Sequence, residues 1–210
     1  MKISGSGKFK KEKIYSRAGQ SLLEVGCGEG KYIGFALSLG KEAVGIDISS
    51  AVVNKASKEF GDFFLLADAL NVPFADNSFD TVCLWDVLEH VTDDSIALQE
   101  AVRVAKKNVL ISVPKEDAGS DFSAGITYRT YTDSSHLRYY TKEKIENLMQ
   151  KTGVKSFEIE EFDRIRPMLA YGRAGVPRCL LSAFDRAVWL FCLRKSAMFR
   201  NFYVLVDLNK

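Results

Sequence analysis

The sequence predicts an α/β fold in which short, buried strands alternate with helices around a mostly parallel sheet. An apolar strand, 22–25, runs directly into a glycine-rich turn. The strands that follow are short, apolar and rich in Val and Ile, two of them close on acidic residues, and segments of helical length lie between them. Strands that are apolar on both faces are typical of a parallel sheet covered by helices on both sides.

The glycine-rich turn has a spacing that restricts its ligand. Gly26, Gly28 and Gly30 stand at alternate positions, and Glu24 lies two residues before the first of them. Glycines this close together mark a sharp turn at which a ligand can approach the main chain. A dinucleotide fingerprint reads G-x-G-x-x-G, and Lys31 stands where its last glycine would be. The pattern E-x-G-x-G-x-G therefore favours a nucleoside ligand that is not a dinucleotide.

The other elements follow in chain order from their end signals. Gly40 and Gly61 end the first two predicted helices, Ser49 or Ser50 caps the second, and Thr141 caps the last. The helices are predicted at 31–39, 51–60, 94–105 and from Thr141 to Gly153. The strands are predicted at 22–25, 43–47, 63–69, 78–85, 108–113, 156–162 and 202–206.

Acidic residues stand where the second and third strands end. Asp47 follows the glycine turn by about twenty residues, the distance at which a carboxylate accepts the hydroxyls of a ribose. Asp68 and Ala69 close the third strand, and Phe79 and Asp80 begin the fourth. Each signal is weak alone, but together they occur in the order that a nucleoside-binding sheet requires.

With these motifs in order, residues 20–160 resemble the class I S-adenosyl-L-methionine (SAM)-dependent methyltransferases, specifically the type 11 group. In that group the fourth strand runs into a Leu-Glu-His segment, here Leu88-Glu89-His90. The resemblance implies a Rossmann-like, seven-stranded, mostly parallel sheet with helices on both faces and an antiparallel C-terminal strand. It also implies SAM as the cofactor.

The resemblance further implies a set of cofactor-binding residues. Glu24 would bind the ammonium of the methionine moiety, Asp47 the ribose, Ile48 the adenine face and Asp68 the exocyclic amine. A turn-forming role for Asp68 and a core role for Trp85 remain open. The residues expected at the cofactor are Glu24, Gly26, Cys27, Gly28, Gly30, Asp47, Ile48, Asp68, Ala69 and Trp85.

Methyl transfer from a sulfonium is an in-line displacement, so that holding donor and acceptor in line is the main task of the protein. His136, just before the helix that begins at Thr141, resembles a histidine that borders the acceptor pocket in type 11 enzymes. It is the preferred candidate for a general base, with His90 and Tyr139 as further catalytic candidates. A purely structural role for His136 remains open.

A second interpretation places a divalent metal near the acceptor. Asp86, Glu89, His90 and the distant His136 resemble the Glu-x-x-Glu-His plus histidine arrangement of small-RNA 2′-O-methyltransferases and certain ubiquinone-pathway O-methyltransferases. Asp86 departs from that pattern because it is one methylene shorter than glutamate. Carboxylate oxygens suit Mg²⁺ or Mn²⁺, and imidazoles tolerate Zn²⁺.

At 210 residues, the chain is predicted to form one methyltransferase domain, 1–210. The segment 115–140 has no period and is expected to be an acceptor-side loop. A helical insertion is predicted at 164–200. Within it, the amphipathic stretch 176–200 could cover the sheet, cap the substrate or make a peripheral membrane contact.

Composition narrows the function classes. The 29 Lys and Arg nearly balance the 27 Asp and Glu, so stable nucleic-acid binding is not expected. The four cysteines form no CxxC pair, which argues against a zinc or disulfide framework. The first twenty residues lack the apolar region of a secretory signal, and a cytoplasmic location is expected.

These observations predict a methyltransferase whose acceptor is a small molecule, a glycan or a lipid-linked intermediate, with oxygen favoured as the methylated atom. An RNA or protein methyltransferase, assisted by a divalent metal, is the alternative. A non-catalytic module that binds SAM or NAD is a third reading, which the glycine spacing and the aromatic loop around His136 oppose. The acceptor itself and the oligomeric state are left open.

Overall fold

The computed structural model describes residues 5–116, 133–164 and 199–208. Most of the predicted acceptor-side loop and residues 165–198 of the predicted helical insertion, including nearly all of the stretch 176–200, lie outside these ranges. Among the described helices, none has the length and apolar character needed to cross a membrane. The expected cytoplasmic location and peripheral membrane contact stay predictions.

Seven strands form one sheet in the order β3-β2-β1-β4-β5-β7-β6. The strands are β1 (Ser21–Val25), β2 (Glu42–Asp47), β3 (Phe64–Leu66), β4 (Phe79–Trp85), β5 (Ala105–Pro114), β6 (Phe157–Arg164) and β7 (Phe199–Asp207). The pairs from β3 to β5 are parallel, and β7 is antiparallel to both of its neighbours. This arrangement confirms the predicted sheet, including its antiparallel C-terminal strand.

Five helices are described. They are α1 (Gly5–Arg17), α2 (Lys31–Ser38), α3 (Ser50–Phe60), α4 (Asp94–Val104) and α5 (Lys142–Lys151). The last four agree with their predicted bounds to within about two residues, and the Thr141 side chain caps α5 by accepting from the Lys144 N–H. The first two predicted strands also agree with β1 and β2 to within one residue. In contrast, β5 begins directly after α4 rather than at Asn108.

Helix α1 has no sequence pattern that predicts it. Its 13 residues include four lysines and one arginine. Among so many charged residues, its narrow apolar face does not stand out in the sequence. Ile14 on that face is fully buried, and Phe9 stacks on Phe162 of β6 with ring centroids 4.3 Å apart. Tertiary contacts, rather than an evident amphipathic period, therefore place α1 against the sheet.

The core lies on both faces of the sheet, because successive strand residues point in opposite directions. Leu22 and Cys83 face a cluster that α1, α2 and α3 cover, whereas Leu23 and Val82 face a cluster that α4 and α5 cover. The predicted helices on both faces are thus confirmed. The carboxyl ends of β1, β2 and β4 open along one edge of this sandwich, where ligands of such sheets bind.

Candidate functional site

The glycine turn and the end of β2 meet in one crevice. The Gly28 N–H donates a hydrogen bond to Asp47 Oδ2 at 3.0 Å, and the Ser49 N–H donates to Asp47 Oδ1 at 2.9 Å. Gly28 has a φ of +52°, and a Cβ added there would meet no heavy atom within 4 Å. The main chain at Gly28 therefore borders open space, and no side chain of its own keeps a ligand from approaching it closely.

A cleft of about 230 Å³ opens at the same edge of the sheet. Five of the predicted cofactor residues line it, namely Glu24, Gly26, Cys27, Gly28 and Trp85. The other residues that line the cleft, none of which was expected at the cofactor, are Lys10, Glu29, Lys31, Tyr32 and Asp86. Gly30 has a different role, since a Cβ at this position would lie 2.5 Å from the Phe64 ring.

Glu24 is buried, with 1% of its surface exposed, and its Oε2 has no hydrogen-bond partner among the described residues. Burial raises the pKa of this carboxyl well above its usual range; the charge of Lys10 opposes the increase and that of Asp47 adds to it. A buried carboxyl group with an unused acceptor oxygen is suited to receive a cationic ligand.

Cys27 lies beside Glu24 in the same turn. Burial, with the negative charges of Glu24 and Asp47, raises the pKa of its thiol to about 12. The thiol therefore stays protonated near neutral pH and is no nucleophile. Its place in the apolar cluster indicates that it packs the turn against α2.

The residues predicted at the adenine differ in their exposure. Ile48 is 73% exposed beyond the end of β2, whereas Ala69 is half-buried against the core. Asp68 is exposed, and its Oδ1 accepts from the Leu70 N–H at 2.9 Å, because β3 ends at Leu66 and the chain turns. The turn-forming role of Asp68 is thus observed, and its contact with an adenine stays a prediction.

Trp85 ends β4 and combines the two roles that the sequence leaves open. Its ring stacks on Tyr203 with centroids 6.3 Å apart, and it also lines the cleft. The indole Nε1 is buried, and none of the residues that the structure describes forms a hydrogen bond with it.

Asp86 is the first residue beyond β4 and has a φ of +57°, in the left-handed region. Its Oδ2 accepts from Lys10 Nζ at 2.5 Å, and its Oδ1 accepts from the Ser112 hydroxyl at 2.6 Å. These two bonds hold the carboxylate toward α1 and β5.

Three of the four predicted metal ligands lie together, and Asp86 is the exception. Glu89, His90 and His136 each place one ligand atom within 4.8 Å of the others. Asp86 does not belong to this group, and its role as a fourth ligand stays a prediction. Its side chain is one methylene shorter than glutamate, and Lys10 and Ser112 already hold it.

Glu89 in this cluster is buried, and within the described part of the chain its Oε2 lacks a hydrogen-bond partner. Burial, reinforced by the charge of Asp86, raises the pKa of Glu89 to about 8. The His90 and His136 rings are edge to face at 4.7 Å. The cluster therefore joins two imidazoles to a carboxyl group that is available as an acceptor or a ligand.

Arg138 brings His136 to this place, although 46 residues separate His136 from His90 in the chain. The Arg138 guanidinium donates to the carbonyls of Leu88 and Val91 at 2.6 Å and of Thr92 at 3.0 Å. Sequence patterns gave no signal for this arginine, because its partners are main-chain atoms.

The two tyrosines beside Arg138 have different surroundings. The Tyr139 ring lies 5.6 Å from the ring of His136, as a candidate in the acceptor region should. Tyr140 is instead buried, and its hydroxyl donates to Asp94 Oδ2 at 2.9 Å. Tyr140 therefore uses its hydroxyl to anchor α4.

A sheet of this order with a nucleoside-sized crevice at the ends of β1 and β2 defines the class I methyltransferase fold, and solved structures agree. A SAM-dependent methyltransferase from Archaeoglobus fulgidus superposes with a TM-score of 0.70 at 17% identity, covering 96% of this chain and 92% of the other. Phosphoethanolamine N-methyltransferase 2 of Haemonchus contortus, solved with SAM, has a TM-score of 0.67 at 22% identity, covering 98% of this chain and 54% of the other.

The family follows from the sequence comparison. Residues 23–113 match the family described as Methyltransferase domain, of the type 11 group. Over these residues, a little under half of the chain, the match supports the predicted resemblance to the class I methyltransferases of this group. It is 27% identical over 177 residues to the O-methyltransferase resE of Aspergillus sclerotiorum, covering 76% of this chain. The chain spans 64% of the length of that relative.

Proposed function

We propose that the protein is a SAM-dependent methyltransferase that methylates a small-molecule, glycan or lipid-linked acceptor, with oxygen as the receiving atom. The observation that carries the proposal is the hydrogen bond between the Gly28 N–H and Asp47 Oδ2, which joins the glycine turn and the acidic end of β2 in one crevice. The family match and the relative named as an O-methyltransferase support the activity and the acceptor atom.

The cofactor is SAM, and the crevice offers a complementary group for each of its parts. Asp47 binds the ribose diol, because the Gly28 and Ser49 N–H groups already orient its two oxygens. Glu24 receives the ammonium of the methionine moiety with its unused Oε2. Exposed Ile48 supplies apolar surface for one face of the adenine.

His136 is the candidate base for the acceptor hydroxyl. The residue is held beside His90 and Glu89 by the bonds of Arg138 to the segment that follows β4. Asp133 Oδ2 lies 3.8 Å from its Nε2 and would stabilise the imidazolium that forms when a proton is taken up. Removal of a positioned base costs roughly 10²–10⁴ in turnover, so His136→Ala should lower kcat by that range.

The function is tested by cofactor binding and by transfer of label. Calorimetry should detect binding of SAM and S-adenosylhomocysteine, and Asp47→Ala should weaken it about tenfold or more, since two charge-assisted hydrogen bonds are lost. Asp62→Ala, which removes an exposed aspartate outside the cleft, is the matched control. Transfer of a labelled methyl group into lysate pools of lipid, glycan, small molecules, RNA and protein identifies the acceptor class.

The proposal fails if the wild-type protein binds neither nucleoside. Label that appears mainly in RNA or protein would instead favour the alternative acceptor class.

A metal-assisted mode is a second candidate, favoured by the cluster of Glu89, His90 and His136. Two imidazoles and a carboxylate form a donor set for first-row divalent metals, and the unpartnered Oε2 of Glu89 fits such a ligand role. These three residues would hold the ion, which would lower the pKa of an acceptor hydroxyl.

A chelator separates the two modes, because both assign a role to His136. Loss of activity in excess chelator, with recovery on adding one divalent metal, supports the metal. Full activity in chelator, combined with an inactive His136→Ala variant, excludes the metal mode and supports the base.

A further inference from the structure

Lys10 occupies an unusual place for a lysine. It lies on α1, its side chain reaches the cleft beside Glu24, and 3% of its surface is exposed. It is the one lysine that the described residues bury. A buried ammonium group costs free energy unless charges or hydrogen bonds compensate it, so its position requires an explanation.

The surroundings of the Lys10 ammonium leave part of its bonding capacity unused. Asp86 Oδ2 is its one hydrogen-bond partner among the described residues, and an ammonium group has three N–H donors. The rings of Trp85 and Tyr32 lie 5.8 and 5.9 Å from Nζ and form aromatic walls around it. A cation between two rings, with unused donors toward a cleft, is arranged to bind an anion there.

The same cleft is also lined by an acidic group, Glu24. The Glu24 carboxyl group has an unpartnered oxygen, and it is near enough to Lys10 for the two charges to interact. Glu29 and Lys31 also line the cleft, but they pair with each other and are exposed. The buried part of the cleft thus offers one acidic and one basic group to a ligand.

We propose that Lys10 binds the carboxylate of the methionine moiety while Glu24 binds its ammonium, so that the cleft selects a nucleoside with a zwitterionic amino-acid tail. This inference rests on the proposed function. It adds Lys10 to the residues that bind the cofactor, and it adds a preference for nucleosides that carry an amino-acid tail. The two groups of an α-amino acid stand on one carbon, and Glu24 and Lys10 both line the same small cleft of about 230 Å³.

The test compares two ligands that differ in the tail alone. S-adenosylhomocysteine carries the amino acid, whereas 5′-methylthioadenosine keeps the nucleoside and the thioether without it. Calorimetry on Lys10→Met should give a Kd for S-adenosylhomocysteine that is raised about tenfold to a hundredfold, the effect of losing one charge-assisted bond. The Kd for 5′-methylthioadenosine should change by less than about threefold, because no contact to it is removed.

Lys13 provides the matched control on the same helix. It pairs with Glu160 at 2.5 Å and lies over the rings of Phe9 and Tyr203, but it does not line the cleft. Lys13→Met therefore loses an ion pair and two aromatic contacts of the same kind, and it should leave the ratio of the two Kd values unchanged. Lys10→Arg keeps the charge and should retain most of the preference for the amino-acid tail.

The wild-type protein supplies a further arm that does not depend on the folding of a variant. An analogue of S-adenosylhomocysteine that lacks only the carboxylate should bind about tenfold or more weakly. Equal affinity for this analogue would overturn the proposal, and so would a Lys10→Met variant that weakens both ligands equally. Absence of S-adenosylhomocysteine binding to the wild type would overturn the proposed function itself, so the two failures are distinguishable.

Discussion

Glu24 illustrates how a single residue can be placed for binding at the expense of stability. Its carboxyl group is fully buried in β1, and one oxygen has no hydrogen-bond partner. A group in this state costs free energy in the unliganded protein, because the charged form loses its hydration without full compensation. A cationic ligand group would supply the missing partner.

The pH dependence of stability provides a test at this residue. The pKa of Glu24 is raised in the folded state, so above about pH 4.5 the folded protein retains a proton that the unfolded chain has released. The free energy of unfolding should therefore fall as pH rises above that value. Glu24→Gln cannot titrate and should show a smaller decline between pH 5 and pH 8 in urea unfolding. Identical declines in both proteins would contradict this origin of the pH dependence.

At the scale of elements, the glycine turn combines two glycines with different purposes. Gly28 borders open space, whereas Gly30, with a φ of +74°, begins α2 against the ring of Phe64. Both positions have the left-handed conformation that side chains disfavour. One glycine therefore leaves room for a ligand, and the other lets the helix pack closely on β3.

Alanine substitutions separate these purposes. Gly30→Ala should lower the free energy of unfolding by about 2–4 kcal/mol, because conformational strain adds to overpacking against Phe64 and Ala56. Gly28→Ala should cost only about 1–2 kcal/mol, the conformational part alone. It should nevertheless weaken binding of S-adenosylhomocysteine, since the new methyl group enters the crevice. Urea unfolding and calorimetry on both variants measure the contrast, which equal losses of stability would refute.

The segment 133–140 is an element whose position no periodicity could predict. Arg138 fixes it through three main-chain carbonyls, and the Leu137 N–H donates to the Glu89 carbonyl at 2.8 Å. These bonds join two parts of the chain that are remote in sequence. They explain why His136, which precedes α5 in the chain, lies beside His90, which follows β4.

At the scale of the whole molecule, the crevice links binding to stability. A ligand that binds the folded chain alone raises the free energy of unfolding by about 2.7 kcal/mol when its concentration is a hundred times Kd. For a chain of 210 residues this corresponds to a rise in melting temperature of roughly 5–10 °C. Thermal melts with S-adenosylhomocysteine should therefore show this shift in the wild type. Asp47→Ala at the same ligand concentration should show a clearly smaller one; an equal shift would mean that the nucleoside binds elsewhere.

The sequence by itself determined the succession of strands and helices along the chain, the ends of most helices and the meeting of the glycine turn with Asp47. Those features depend on local periodicity, on caps and on glycine spacing, all of which can be read over a few residues. Parallel topology then brings successive strand ends to one edge without further information. The same reasoning gave no signal for the bond of the Tyr140 hydroxyl to Asp94, because a motif gives a position in the chain and not the direction of a side chain.

Only the tertiary structure decided which side chains surround the edge of the sheet where the glycine turn meets Asp47. Helix α1 has too many lysines for its buried face to be recognised, yet it places Lys10 beside Glu24. Asp86 and His136 were candidates for one metal site. In the structure Asp86 is bonded to Lys10 and Ser112, whereas His136 lies with Glu89 and His90. Such outcomes depend on contacts between residues far apart in the chain, where competing partners, burial and charge fix each side chain.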